Sequence, residues 1–322
     1  MIDTQHPQHG SDQGQAPERS KIRERRLRDL IRRRHMGGRR MRPISFVPTL
    51  LTLGNLVCGF ASIHYATKPV GPTQIFGWST LTVAGLLLFL GMFFDAIDGS
   101  VARLTRSTSD LGAQLDSLAD VVSFGVAPGF MMLRLVSHYY GPAGSVTLLG
   151  PDADVFYGKI PWTIAAVYVC CAALRLARFN VETPGASEED HRTFKGLPSP
   201  GAAGAVASLI VLHQHLLAVR EGVEENQTFA RIAALGIPFI TLLCAFAMVS
   251  TVRYVHFANR VLRARRDFPG IVRLVVPVIA CIAWPQISLA VGFTFYAVSG
   301  PVRALWLRTR QQSAPPPAPH SP

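Results

Sequence analysis

The sequence predicts an all-α protein, a polytopic bundle of about eight transmembrane helices, on three observations. Apolar residues fill 49% of the 322 positions and charged residues only 16%, with a mean hydropathy of +0.26. Several runs approach the roughly 20 apolar residues with which a helix crosses a bilayer. Leu81–Phe94 is almost uniformly apolar, whereas a strand of a transmembrane barrel alternates polar and apolar residues over about 10 positions.

In chain order, residues 1–42 read as a disordered, basic cytoplasmic arm. The first 18 are polar and rich in Gly, Pro and Gln, and twelve of the 32 Lys and Arg fall between Arg19 and Arg42. This tract carries much of the net charge of +12. It has no aromatic residue on which a base could stack, so nucleic acid is not an expected partner. Its place before the first apolar segment suits an anionic lipid surface, where each cation gains about 1 kcal/mol. No early apolar stretch with a small-residue cleavage site precedes it, so the N-terminus is expected to stay inside.

Residues 43–310 read as one transmembrane domain, with apolar segments at about 46–66, 78–104, 113–136, 160–178, 201–219, 231–254, 271–284 and 286–303. Trp284-Pro285 separates the last two, because proline cannot continue a helical hydrogen-bond ladder. Residues 311–322 read as a disordered Pro-rich tail. Cation counts support eight crossings. The connections predicted inside carry Arg103 and Arg106, then Arg175, Arg178, Arg192 and Lys195, then six arginines from Arg253 to Arg273, then Arg303, Arg308 and Arg310. Those predicted outside carry Lys68, Lys159, and Arg220 with Arg231, the last pair offset by Glu221, Glu224 and Glu225. The positive-inside rule then places both termini in the cytoplasm, in the inner (plasma) membrane. Trp78, Trp162, Trp284 and Trp306 fall at segment ends, as interfacial anchors do. The five cysteines lie in apolar segments without C-x-x-C spacing and read as small core residues. In His213-Gln214-His215 the histidines are at i and i+2, which point apart on a helix, so a shared ion is not expected.

The chemistry concentrates in FFDAIDGSVARLTRSTSDLGAQLDSLAD, where Asp95, Asp98, Asp116 and Asp120 stand against the membrane. One Asp at a helix centre costs roughly 3 kcal/mol, so four with no role are hard to account for. Asp95, Asp98 and Ala102 share one helix face, and Gly112, Asp116 and Asp120 share another. The polar string TRSTSD turns the chain between them, so the two acidic faces can meet at the cytoplasmic end. Hard oxygen ligands in this number suit Mg²⁺ or Mn²⁺, and two ions sharing carboxylates suit phosphate-ester chemistry. Gly99 and Ala102 leave a face without bulk for a ligand, though helix packing explains small residues equally well. Arg103 can hold a phosphate bidentately. A divalent-cation transporter also uses intramembrane carboxylates, but no internal repeat supports that reading.

The pattern Asp95-x2-Asp98-Gly99-x2-Ala102-Arg103-x8-Gly112-x3-Asp116-x3-Asp120 resembles the signature of the CDP-alcohol phosphatidyltransferase family at all eight positions. A chance match in a chain of this length is on the order of one in ten million. The resemblance implies two metal ions bridged by Asp95 and Asp116, with Asp98 completing the first site and Asp120 the second. It makes Asp120 the general base as well. It also implies that Gly99, Ala102, Arg103, Ser109 and Gly112 bind the CDP-diacylglycerol headgroup, and it suggests a homodimer. Asn55, in the string TLGN, is a further candidate nucleotide contact, or else a helix–helix hydrogen bond.

Three further strings, DVVSFGVAPGFM, LRLARFN and FKGLPSPGAAG, resemble the membrane-type phosphatidylserine synthases of bacteria, which implies L-serine as acceptor. Arg175, Arg178, Asn180 and Lys195 lie in or beside these strings and are the candidate acceptor residues, with Arg178 and Lys195 expected on the serine carboxylate. At helix ends they also fit the positive-inside pattern without any substrate. Relatives that use glycerol phosphate carry a Lys-x-Lys-Thr-like string where this chain reads ARFNVE. Glycerol 3-phosphate or inositol phosphate remains the alternative acceptor.

Overall fold

A computed structural model describes residues 46–105, 110–141, 148–153, 156–182, 193–219, 225–255 and 268–312. The basic arm and the tail from Ser313 lie outside them. Among the described residues eight helices follow one another. α1 is Phe46–Thr67 and α2 is Thr80–Thr105. α3 runs through Asp110–Asp120, a π-helical turn at Val121–Val126 and Ala127–Tyr140. α4 is Phe156–Glu182, α5 Ser199–Val219, α6 Glu225–Val249, α7 Phe268–Ala283 and α8 Pro285–Gln312. The predicted segments therefore recur in order, and the break at Trp284-Pro285 falls between α7 and α8.

Six of these helices, α1 to α6, are long and apolar enough to cross a membrane. α7 has 16 residues, or about 24 Å of helix, which is shorter than a hydrocarbon core of about 30 Å. α8 is longer, but its sequence is less apolar, ending in LWLRTRQQ. The eight-helix count holds, while length and composition support six full crossings.

α3 and α5 form the centre. In the apolar windows of these two helices 78% and 67% of residues are buried, against 28% for α1 and for α4. Phe124, Met131, Met132 and Leu135 of α3 meet Ala203, Val206, Ala207 and Ile210 of α5 in one core with Leu88 and Tyr168. The outward faces of α1, α6, α7 and α8 carry exposed Phe60, Phe239, Ile282 and Phe295, as lipid-facing helices should. Cys58 and Cys244 are buried as expected of core residues, but Cys170 and Cys281 face outward. In a membrane an outward position is as apolar as the core, so hydropathy alone does not separate the two. Trp78, Trp162, Trp284 and Trp306 are exposed at or near helix ends.

A short antiparallel pair, β1 (Thr193–Lys195) with β2 (Arg253–Val255), joins the start of α5 to the end of α6, with Phe194 opposite Tyr254. Its residues are too few for any alternation to be read from the sequence. The chain leaves β1 through Gly196, whose φ of 86° favours glycine. The Gly196 amide donates to Val252 O at 2.8 Å and the Leu197 amide to Ala247 O at 2.9 Å. Tyr254 donates its hydroxyl to Ala297 O of α8 at 3.0 Å. These bonds fix where α5 begins, and hence where Ser199 stands.

Candidate active site

α1 has no Asp, Glu, Lys or Arg, which suits a membrane helix, yet it packs along both acidic helices. Glycine permits the closeness. A Cβ on Gly59 would sit 2.8 Å from Ser123 Cα of α3, and one on Gly91 of α2 would sit 2.9 Å from Asn55 Oδ1. α1, α2 and the first part of α3 therefore come together where the aspartates are.

Asp95 of α2 and Asp116 and Asp120 of α3 each place a carboxylate oxygen within 4.8 Å of the other two. Asp120 is buried and the others are half-buried. At such a separation two charges repel by about 3 kcal/mol, taking an effective dielectric near 20. Arg175 of α4 is the cation whose charge acts on both Asp120 and Asp95. Among the described residues, this guanidinium offsets only part of the charge of three carboxylates. The residues fit a divalent ion: the donors are hard carboxylate oxygens drawn from two helices, and the imbalance has the right sign. Among the described residues no other group of His, Cys, Asp and Glu could hold a metal. His213 is hydrogen-bonded to Ala230 O at 2.9 Å and to Gln214 at 3.2 Å.

Asp98, the fourth aspartate, differs in placement. It is buried on α2 and bonded to the Thr52 hydroxyl of α1, outside the three-carboxylate group. Asn55 turns its amide nitrogen to Asp120 Oδ1 at 3.1 Å. An ionised carboxylate only accepts, so the nitrogen must be the atom that faces it. Ser123 donates to the Asn55 carbonyl oxygen at 3.0 Å.

Residues 45–252 match the family model described as CDP-alcohol phosphatidyltransferase. The chain belongs to that family. It is similar to proteins named CDP-diacylglycerol–serine O-phosphatidyltransferase from several microbes. That of Helicobacter pylori is 30% identical over 270 residues, covering 83% of this chain and 94% of the relative. That of Bacillus subtilis is 30% identical over 214 residues, covering 66% and 92%. That of Methanocaldococcus jannaschii is 30% identical over 176 residues, covering 54% and 65%. The chain is thus a multi-pass membrane phosphatidyltransferase of phospholipid synthesis, and family membership removes the cation-transporter alternative.

The remaining sequence candidates of this phosphatidyltransferase fall as follows. Gly99 and Gly112 are half-buried beside the aspartates. The side chains of Ala102, Arg103 and Lys195, and all of Ser109, lie outside the described residues. Arg175 donates to the buried Ser199 hydroxyl at the first residue of α5, and Asn180 donates to Ser117 Oγ at 2.8 Å, next to Asp116. Arg178 is half-buried on α4. Sequence reading missed Thr52, Ser117, Ser123 and Ser199. Thr52 and Asn55 had a signal, since they are polar, three apart and set in an otherwise apolar run. The three serines are too common in membrane helices to stand out.

Proposed function

We propose that the chain transfers the phosphatidyl group of CDP-diacylglycerol to L-serine, giving phosphatidylserine and CMP. The observation that carries this reading is the Asp95–Asp116–Asp120 group beside Arg175, within a family motif complete at every position. The names of the relatives favour serine.

In this reading Asp95, Asp98, Asp116 and Asp120 would hold two Mg²⁺ or Mn²⁺ ions, whose charge would offset that of the diphosphate and of the CMP leaving group. Asp120 takes the proton of the serine hydroxyl as that oxygen attacks the phosphorus bearing diacylglycerol. The bond from that phosphorus to the CMP oxygen breaks, and the oxygen leaves with its electron pair. The chain supplies no Cys or His nucleophile in the motif, so transfer is direct and the mechanism sequential. Gly99, Ala102, Arg103, Ser109 and Gly112 bind the CDP headgroup. Arg175, anchored on Ser199, is best supported for the serine carboxylate, and Arg178, Asn180 and Lys195 complete the acceptor side.

Serine brings one carboxylate and one ammonium, whereas glycerol 3-phosphate brings a dianionic phosphate that calls for several cations on the acceptor side. Purified protein with CDP-diacylglycerol and Mn²⁺ is therefore expected to form lipid product from serine and not from glycerol 3-phosphate or inositol phosphate. Arg175→Ala is expected to raise the serine KM about ten- to a hundred-fold, the equivalent of a charge-assisted hydrogen bond of about 1.5–3 kcal/mol. Arg178→Ala and Lys195→Ala receive the same assay. Product from glycerol 3-phosphate alone transfers the chain to the alternative acceptor class.

The same reading puts the active site and both termini in the cytoplasm of a homodimer in the inner membrane. In a background without native cysteines, Thr108→Cys and Glu188→Cys are expected to react with an impermeant maleimide only from the cytoplasmic side. Val70→Cys and Gly150→Cys should react only from outside. Labelling of position 188 from outside contradicts this topology.

A further inference from the structure

Thr52, Asn55 and Gly59 stand at i, i+3 and i+7, so they share one face of α1. That face meets both acidic helices. Thr52 bonds Asp98 of α2, and Asn55 bonds Asp120 of α3 at 3.1 Å. Asn55 is itself held through its main chain, where Ser123 donates to its carbonyl oxygen at 3.0 Å. The missing side chain at Gly59 allows Ser123 that close. Asp120 and Ser123 are three residues apart on α3, so two bonds from adjacent turns fix Asn55 against the carboxylate.

Helix packing alone does not explain an asparagine here. Its Oδ1 is buried and has no hydrogen-bond partner among the described residues, and an unpaired buried acceptor is destabilising. An apolar side chain of similar size would avoid that cost. What the amide gains is the bond to Asp120. A carboxylate torsion is broad when unconstrained, and a donor fixed on a neighbouring helix narrows it. Thr52 acts in the same way on Asp98. Its single proton can go to Pro48 O, 3.0 Å away, or to Asp98, and an ionised Asp98 attracts it more strongly than a neutral carbonyl.

We infer that Thr52 and Asn55 are positioning residues of the phosphatidyl transfer: from one face of α1 Thr52 fixes the carboxylate of Asp98 and Asn55 that of Asp120. The inference rests on the proposed roles of those two aspartates. It assigns Asn55 to the carboxylates and not to the nucleotide.

The test uses full-length protein in lipid nanodiscs, with Asn55→Leu, Thr52→Val and Thr52→Ser. Loss of a residue that orients a metal ligand typically lowers activity or metal affinity about 10- to 100-fold. At saturating Mn²⁺, Asn55→Leu and Thr52→Val are expected to lose kcat by that factor with the KM for CDP-diacylglycerol unchanged. Thr52→Ser, which keeps the hydroxyl, should retain most of the activity. Mn²⁺ binding, followed without substrate by the paramagnetic resonance of the free ion, should weaken about 10- to 100-fold in the first two variants and not in the third. A rise in the CDP-diacylglycerol KM at constant kcat makes Asn55 a nucleotide contact and overturns the inference. So does a lowered melting temperature with kcat and Mn²⁺ affinity intact, which is the behaviour of a packing residue. Asp120→Asn on the same footing separates the two layers. If it is inactive while Asn55→Leu and Thr52→Val behave as the unsubstituted protein, only the positioning role falls. If Asp120→Asn stays active, the proposed role of Asp120 falls first.

Discussion

Asp95→Asn, Asp116→Asn and Asp120→Asn are each expected to reduce phosphatidyl transfer by at least about 10³-fold, the combined scale of a lost general base and lost charge stabilisation. Each substitution keeps the shape of the side chain and removes one of three carboxylates whose oxygens lie within 4.8 Å of one another. Such a cluster works as a unit, so no remaining member can compensate. Insertion into the membrane should be intact, because an amide in a spanning helix is less costly than a carboxylate. The relevant comparison is turnover per folded protein, measured as labelled serine incorporated into lipid, with elution volume on gel filtration as the check on folding. Asp98→Asn should lose less, since Asp98 stands outside the three-carboxylate group and an amide oxygen can still accept from Thr52. More than a tenth of the activity surviving in all three variants would remove the proposed metal assignment.

Much of this was legible in the sequence, for reasons that also mark the limit. Long apolar runs favour helices because a backbone in lipid must satisfy its polar groups internally, so the ends of α1 to α6 could be placed to within about six residues. Proline chemistry placed the break after Trp284. The aspartates stood out because a carboxylate in a membrane segment is costly. Helical periodicity also anticipated that Asp95 would meet Asp116 and Asp120. It could not anticipate that Asp98, one turn from Asp95, leans to Thr52, because that depends on how closely α1 approaches α2. That approach is permitted by Gly91, as the approach of α1 to α3 is by Gly59, and the effect of either glycine appears only when its neighbours are known. The three-residue strands and the π-turn after Asp120 are also below the length at which any pattern can be read. Arg175 illustrates the same limit: four candidates looked alike in sequence, and the packing of α4 against α5 brings this one to Ser199.

Chelation of divalent ions is expected to stop transfer altogether, with Mg²⁺ or Mn²⁺ restoring it. Among the described residues, the clustered carboxylates of Asp95, Asp116 and Asp120 outnumber the one arginine, Arg175, whose charge acts on Asp95 and Asp120. A substrate diphosphate adds further negative charge. Without cations, binding CDP-diacylglycerol sets like charges against each other at contact distance, where each pair repels by about 3–4 kcal/mol. Two divalent ions would offset more of this negative charge than a single ion. The number of ions is therefore visible in the shape of the recovery. Activity plotted against free Mn²⁺ should rise more steeply than a single-site hyperbola, and direct binding should approach two ions per chain when a CDP-diacylglycerol analogue is present. Asp98→Asn should flatten the curve toward single-site behaviour, since it weakens one end of the cluster and leaves Asp95, Asp116 and Asp120 in place. A hyperbolic recovery with one ion bound at saturation would replace the two-ion proposal with a single-ion site built on the three clustered carboxylates. Activity indifferent to chelator would leave those carboxylates without the cation that their mutual repulsion calls for, and would contradict the proposal at its base.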